Sequence, residues 1–230
     1  MREFQDDIAY ITIAPEMVKG KYLLDLLTTK IKISLGHSNA TYTDCIKAFK
    51  AGVNNVTHLY NGMRSMTGRE PGMIGATFNF DGVYAGVIAD GRHVHSSVIK
   101  LIHKLLGDRM YIVSDCQAVA GSPELMTSFT IAGTEVFVDK NRGLINSKGA
   151  LAGSNITLMD SVRFLVKSCG FTLDEALAAA SSIPAKVLGI DKEYGRIEGG
   201  FMADLIIFDD DFRIRYVIQN GFLKTSAELL

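Results

Sequence analysis

The stretch SLGHSNATYTDCIKAFKAGVNNVTHLYNGM, residues 34–63, carries one complete strand, helix, strand repeat. Its opening belongs to the apolar, β-branched run IKISLG (31–36), and a second such run covers 56–60. Between them, Thr41 followed three residues later by Asp44 is a capping-box pattern, and Gly52 is a stop signal, which together predict a helix over 42–51. His37 and His58 stand twenty-one residues apart, each at the same point of its strand.

Outward from this repeat the pattern continues. Further β-rich runs cover 8–14, 83–89 and 110–115. A helix over 96–108 would place Val98, Ile99, Ile102, Leu105 and Leu106 on one face, with Ser96 or Ser97 as its cap. Regular alternation of strand and helix requires right-handed crossovers and so predicts a parallel sheet of five strands buried on both faces. After Asp115 the character changes. Residues 128–149 read as short strands joined by Gly and Asn turns, 155–169 and 172–189 as two amphipathic helices, and 195–222 as a small β-rich unit.

Composition sets the class. A chain of 230 residues, 47% hydrophobic and 21% charged, can bury a sizeable core in one large domain or one with a small appendage. A net charge of −1 with scattered Lys and Arg gives no electrostatic footprint for nucleic acid or a membrane surface, leaving a small molecule as the expected partner. The three cysteines, Cys45, Cys116 and Cys169, form no CxxC pair and suggest neither a disulfide framework nor a zinc knot. A reducing cytoplasm is the expected location, since the first residues are charged and no window reaches the roughly 18 apolar residues of a membrane span.

Strands ending near 14, 36, 59, 89 and 115 place Glu16, His37, His58, His93 and Asp115 at or just beyond the carboxyl ends of a parallel sheet, the edge where α/β folds build their sites. Two histidines and several carboxylates on one rim form a divalent-metal constellation, with zinc or a similar ion suited to nitrogen and oxygen donors. A single strand-end histidine is more often a hydrogen-bonded rim residue, and Asp115 could simply cap the following turn. His95 and His103 read as surface or structural residues. Three roles are open to Glu16: ligand, general base, or partner of a nearby Lys or Arg.

The motifs APEM (14–17), GHSNAT (36–41), THLYNGM (57–63), TGREPG (67–72), IADGRHV (88–94), VSDCQAVAG (113–121) and LAGSNITLM (151–159) together resemble the N-acetylglucosamine-6-phosphate deacetylases, enzymes of the amidohydrolase superfamily. The tail GRIEGGFMADLIIFD (195–209) resembles the closing segment of many amidohydrolases. The resemblance covers about 8–222 and implies an α/β fold: an incomplete TIM-like (β/α) barrel of about five parallel strands plus part of a small β-sandwich. The implied organisation is a partial barrel over 1–127, a β insertion over 128–150, helices completing the barrel part over 151–192, and a partial β-sandwich over 193–230.

The same resemblance implies that His37 and His58 bind a divalent metal, zinc being expected, and that Asp115 is the catalytic carboxylate. It assigns Asn61 and Gly62 to the substrate's phosphate and sugar, Arg69 to the phosphate bound by a neighbouring subunit, and Asp90, Gly91, Arg92 and His93 to the substrate. Leu151, Ala152 and Gly153 would close over it. The implied reaction converts N-acetylglucosamine 6-phosphate to glucosamine 6-phosphate and acetate. The chain lacks the LEGP-type motif that carries the family's acidic metal ligand, and its start matches only a later part of the family. Two outcomes are therefore expected: a deacetylase whose missing barrel half is supplied by a homodimer or partner chain or by the rest of a longer product of which this is one piece, or a non-catalytic remnant or interaction module derived from that enzyme.

Overall fold

Five short strands pair in parallel in chain order: β1 (Tyr10–Ile13), β2 (Lys32–Leu35), β3 (Asn55–Val56), β4 (Tyr84–Val87) and β5 (Met110–Ile112). The computed structural model describes residues 6–18, 20–120, 126–139 and 141–224. The motif residue Gly121 and the outermost residues of the 1–127 and 193–230 regions lie outside these. Each strand ends one to three residues sooner than the sequence suggests, which leaves the rim residues on loops rather than in the sheet.

The helices between these strands are α1 (Gly20–Leu27), α2 (Tyr42–Lys50), α3 (Gly72–Asn79) and α4 (Ser96–Leu106). The α2 helix starts as the sequence predicts, with Thr41 and Asp44 capping each other's backbone N–H groups. At α4 the cap differs: the His95 side chain, not Ser96 or Ser97, accepts from the Ser97 N–H. Leu105 stays 44% exposed, outside the buried face made by Ile99, Ile102 and Leu106. Beyond β5 come α5 (Leu158–Cys169), α6 (Leu173–Ala180) and α7 (Ser182–Leu188). The predicted helix over 172–189 is thus two helices, because Ser181 at φ −135°, ψ −76° leaves the helical region.

The two faces of the parallel sheet differ. Ile33, Leu35, Val56, Ala85, Val87, Met110 and Ile112 point towards the helices and join Phe49, Ile99, Ile102 and Leu165 in one apolar core. The opposite face is polar, with Ser34, Asn55 and Tyr111 buried on it. Thr57 Oγ1 lies 2.8 Å from Thr12 Oγ1, 2.7 Å from Ser34 Oγ and 3.3 Å from the Tyr10 hydroxyl. Asn55 Nδ2 donates to the Tyr10 hydroxyl at 2.8 Å, and the Tyr111 hydroxyl donates to Asn55 Oδ1 at 3.1 Å. Buried polar groups persist only when paired, and these pair with one another. The Tyr10 and Tyr111 hydroxyls, from the first and last strands, stand 3.4 Å apart, so the sheet curls towards its polar face as a barrel sheet does.

Two antiparallel sheets complete the fold. The first, β6 (Ser128–Ile131), β7 (Thr134–Asp139) and β8 (Gly143–Asn146), has its own small core of Val119, Val136 and Leu144. In the second, β9 (Leu205–Phe208), β10 (Ile214–Gln219) and β11 (Phe222–Lys224), the turn after β9 inserts Phe212 into the main core, with Lys167 of α5 above its ring.

Candidate active site

The loops after β2 and β3 bring His37 and His58 together. Their Nε2 atoms lie 2.9 Å apart and the rings meet edge to face at 80°. Gly62 fits against this pair, since a Cβ there would stand 3.3 Å from His37 Nδ1 and 3.4 Å from His58 Cε1. Burial pushes the His58 pKa below its ordinary value of 6.5, and neighbouring His37 adds to the effect while Asp115 opposes it. His58 is therefore held neutral, and its buried Nδ1 has no hydrogen-bond partner among the described residues.

Four of the seven non-glycine residues with positive φ among those described lie on this rim: His37 (+48°), His58 (+30°), Tyr60 (+79°) and Asp115 (+49°). Such backbone costs on the order of 1–3 kcal/mol per residue and persists only where the surroundings hold it, so its concentration at the strand ends marks the rim as a site. The loop after β5 carries Asp115, which lines one cavity of about 220 Å³ with His58, Thr57, Tyr10 and Tyr111. Ser154 clamps that loop: its N–H donates to the Asp115 carbonyl at 2.8 Å, its hydroxyl to the Ser114 carbonyl at 2.5 Å, and its own carbonyl accepts from Gln117 N–H.

The loop after β4 holds a second pair. His93 Nδ1 is 2.7 Å from Asp90 Oδ2, with side chains only 5% and 2% exposed. Burial alone would raise the Asp90 pKa. The bonds from the His93 ring and from the backbone N–H groups of His93 and Arg92 outweigh it and hold the carboxyl below its ordinary 3.8. Asp90 is thus a carboxylate, so Nδ1 of His93 carries the proton and Nε2 is left for another group.

The other predicted positions are distributed around these groups. Asn61 N–H donates to the His58 carbonyl at 2.9 Å. Gly91 turns the chain at φ +74° beneath Phe164, and the exposed Arg92 packs its stem beside Gly143 of β8. Leu151 bridges to Ile145, Ala152 N–H donates to the Leu144 carbonyl, and a Cβ on Gly153 would stand 3.0 Å from the Asp115 carbonyl oxygen. The 151–153 segment is thereby set against the Asp115 loop. Arg69 is exposed and has no hydrogen-bond or ion-pair partner among the described residues. His95 is exposed, and the His103 ring lies 4.2 Å from that of Phe171, tilted by 39°, beside Glu175.

Sequence reasoning missed Ser154 and the inner polar layer. Thr12, Ser34 and Thr57, recurring where a doubly buried strand would be apolar, were the available signal for that layer. Among the described residues, no group of three His, Cys, Asp or Glu side chains is arranged to hold a metal ion. The histidine pair offers two converging nitrogens.

Comparison with known proteins agrees with this architecture. A deacetylase of N-acetylglucosamine 6-phosphate from Haemophilus influenzae is 36% identical over 222 residues, which make up 96% of this chain and 58% of that protein. An N-acetylgalactosamine-6-phosphate deacetylase of Shewanella sp. (strain ANA-3) is also 36% identical, over 96% of this chain and 55% of the relative. The crystal structure of N-acetylglucosamine-6-phosphate deacetylase from Pasteurella multocida superposes with a TM-score of 0.91 at 37% identity, covering 98% of this chain and 59% of that one. The chain spans little more than half the length of these relatives. Residues 12–224 match the amidohydrolase family. With 213 of 230 residues inside that match, five parallel strands and a rim at their carboxyl ends, the chain belongs to the amidohydrolase family.

Proposed function

We propose that this chain carries the active-site rim of a cytoplasmic, metal-dependent deacetylase that converts N-acetylglucosamine 6-phosphate to glucosamine 6-phosphate and acetate. The observation that carries the reading is the facing pair of Nε2 atoms, 2.9 Å apart on adjacent strand ends. Two nitrogens bound to one tetrahedral zinc ion at about 2.0–2.1 Å each lie about 3.3 Å apart, so the pair stands within a few tenths of an ångström of two positions of such a site. The depressed pKa of His58 agrees with a neutral ligand. The fit is partial. A third protein ligand is not in place among the described residues, and in this reading it comes from outside them, from a partner chain or from a longer product of which these residues are one piece.

His37 and His58 would hold a divalent cation, zinc by its donors, which when bound would supply Lewis acidity for activating a water. The chain's own residues do the rest. Asp115 accepts the proton of the attacking water and passes it to the amine nitrogen as the C–N bond breaks, acting as base and then acid. His93, tethered through Nδ1 to Asp90, turns Nε2 to the substrate. Asp90 and the Gly91–Arg92 turn set that ring's position. Asn61 and Gly62 contact sugar and phosphate, and the unpaired Arg69 offers its guanidinium fork to a phosphate, in a dimer that of the neighbouring subunit. Leu151, Ala152 and Gly153 cover the sugar and exclude water.

A second reading, a non-catalytic interaction module, is favoured by the absent third ligand among the described residues. Acetate release by the purified chain with zinc separates the two. N-Acetylglucosamine 6-phosphate should be turned over, faster than its galactosamine epimer, and Asp115→Asn should reduce the rate by at least about 100-fold. No acetate at high protein concentration would support the module.

A further inference from the structure

Glu16 has a use that the proposed chemistry does not absorb. It sits on the single 3-10 turn Pro15–Met17 that follows β1, and its carboxylate reaches the loop after β2. Ser38 Oγ donates to Oε2 at 2.6 Å, and the Asn39 N–H donates to Oε1 at 2.6 Å. Both oxygens thus accept from a donor of the 38–39 segment. Among the described residues Glu16 has no ion-pair partner and joins no group of three metal-ligating side chains.

The segment it grips begins one residue after His37. Ser38 is buried, its hydroxyl also accepts from the Ala40 N–H, and its own N–H donates to the Gly62 carbonyl at 3.0 Å. Arg64 Nε donates to Asn39 Oδ1 at 3.0 Å. The 38–40 segment is therefore held between the β1 turn on one side and the loop carrying Gly62 and Arg64 on the other. His37 itself, at φ +48°, is in a conformation that its own backbone disfavours. Something outside the loop must hold it there, and the two donors that follow it both point at Glu16.

We infer that Glu16 is a positioning residue for His37: its carboxylate clamps Ser38 and Asn39, and so keeps His37 in the left-handed backbone conformation that sets its Nε2 against that of His58. A carboxylate is required because both partners are donors. The amide of Gln would turn an NH₂ towards one of them. This inference rests on the metal-binding reading for its affinity consequence, but its structural consequence exists without metal.

The test uses the full chain with Glu16→Gln, cobalt(II) as the probe, and two readouts. In the first, cobalt affinity and its visible absorption spectrum are measured. Glu16→Gln should weaken binding by about 10- to 100-fold, as loss of groups that orient metal ligands does, and alter the spectrum. In the second, imidazole nitrogen NMR of the metal-free protein should show the coupled His37–His58 pair of the parent, one ring protonated on Nε2 and the other accepting, replaced by two independent rings. Ser38→Ala, which removes one arm of the clamp, should give a smaller change in the same direction and covers the case of a poorly folded Gln variant. Parental affinity, spectrum and ring signals in Glu16→Gln would overturn the inference. If the parent binds cobalt no better than His37→Ala, the metal reading falls instead, and the metal-free ring signals still decide the role of Glu16.

Discussion

At the scale of single residues, the rim is built by placing polar side chains on backbone that resists them. His37, His58 and Asp115 all have positive φ, and each is followed or faced by donors that pin the loop. Ser154 does this for Asp115. Ser154→Ala leaves the Ser114 carbonyl without its hydroxyl donor, and urea unfolding should show a loss of about 1–3 kcal/mol. Gly153→Ala should cost at least about 1 kcal/mol, since φ is +75° and the new Cβ would press on the Asp115 carbonyl and on Gln117. The Asp90–His93 pair predicts the acid limb of stability. The folded-state pKa of Asp90 lies below 3.8, so the unfolded chain binds the proton more readily there, and stability present above that value is lost as pH falls through the folded pKa. In acid titrations followed by circular dichroism, Asp90→Asn should flatten that limb.

At the scale of elements, short helices owe their ends to side chains. The reciprocal Thr41–Asp44, Thr157–Asp160 and Thr172–Glu175 caps begin α2, α5 and α6. Thr41→Ala removes the acceptor for the Asp44 N–H and should cost about 1 kcal/mol by chemical denaturation. Its effect should reach the site, because Glu70 Oε1 accepts from both Tyr42 and Gly72 N–H groups and so ties the start of α2 to the loop bearing Arg69. The β6–β8 sheet acts differently. Its core is separate from the main one, yet through Gly143 and the 151–153 segment it touches Arg92 and the Asp115 loop.

At the scale of the molecule, the apolar surface is unevenly covered. Ile206, Ile207, Ile214, Tyr216, Phe222 and Leu223 of the β9–β11 sheet are 44–74% exposed, on a sheet whose outer strands are unpaired among the described residues. Exposed edges and contiguous apolar area favour association. Sedimentation velocity of the isolated chain should show concentration-dependent self-association, reduced by Ile207→Lys. No helix among the described residues is long and apolar enough to cross a membrane.

The strand, helix, strand rhythm, the α2 cap and the strand-end positions of His37, His58 and Asp115 were legible because each rests on local chemistry: side-chain periodicity, a cap three residues long, a loop at the end of an apolar run. Roles for the rim residues came from motif resemblance and stand as proposals. Contacts between loops distant in sequence were not legible. The Glu16–Ser38 bond spans 22 residues, the Ser154–Ser114 bond 40, and the Asn55–Tyr111 bond 56. By itself the sequence determined which groups stand at the rim. Only the tertiary structure decided that one sheet face is a hydroxyl network and that the two imidazoles meet, because hydrogen bonds between strands depend on sheet curvature and register, which no local pattern encodes.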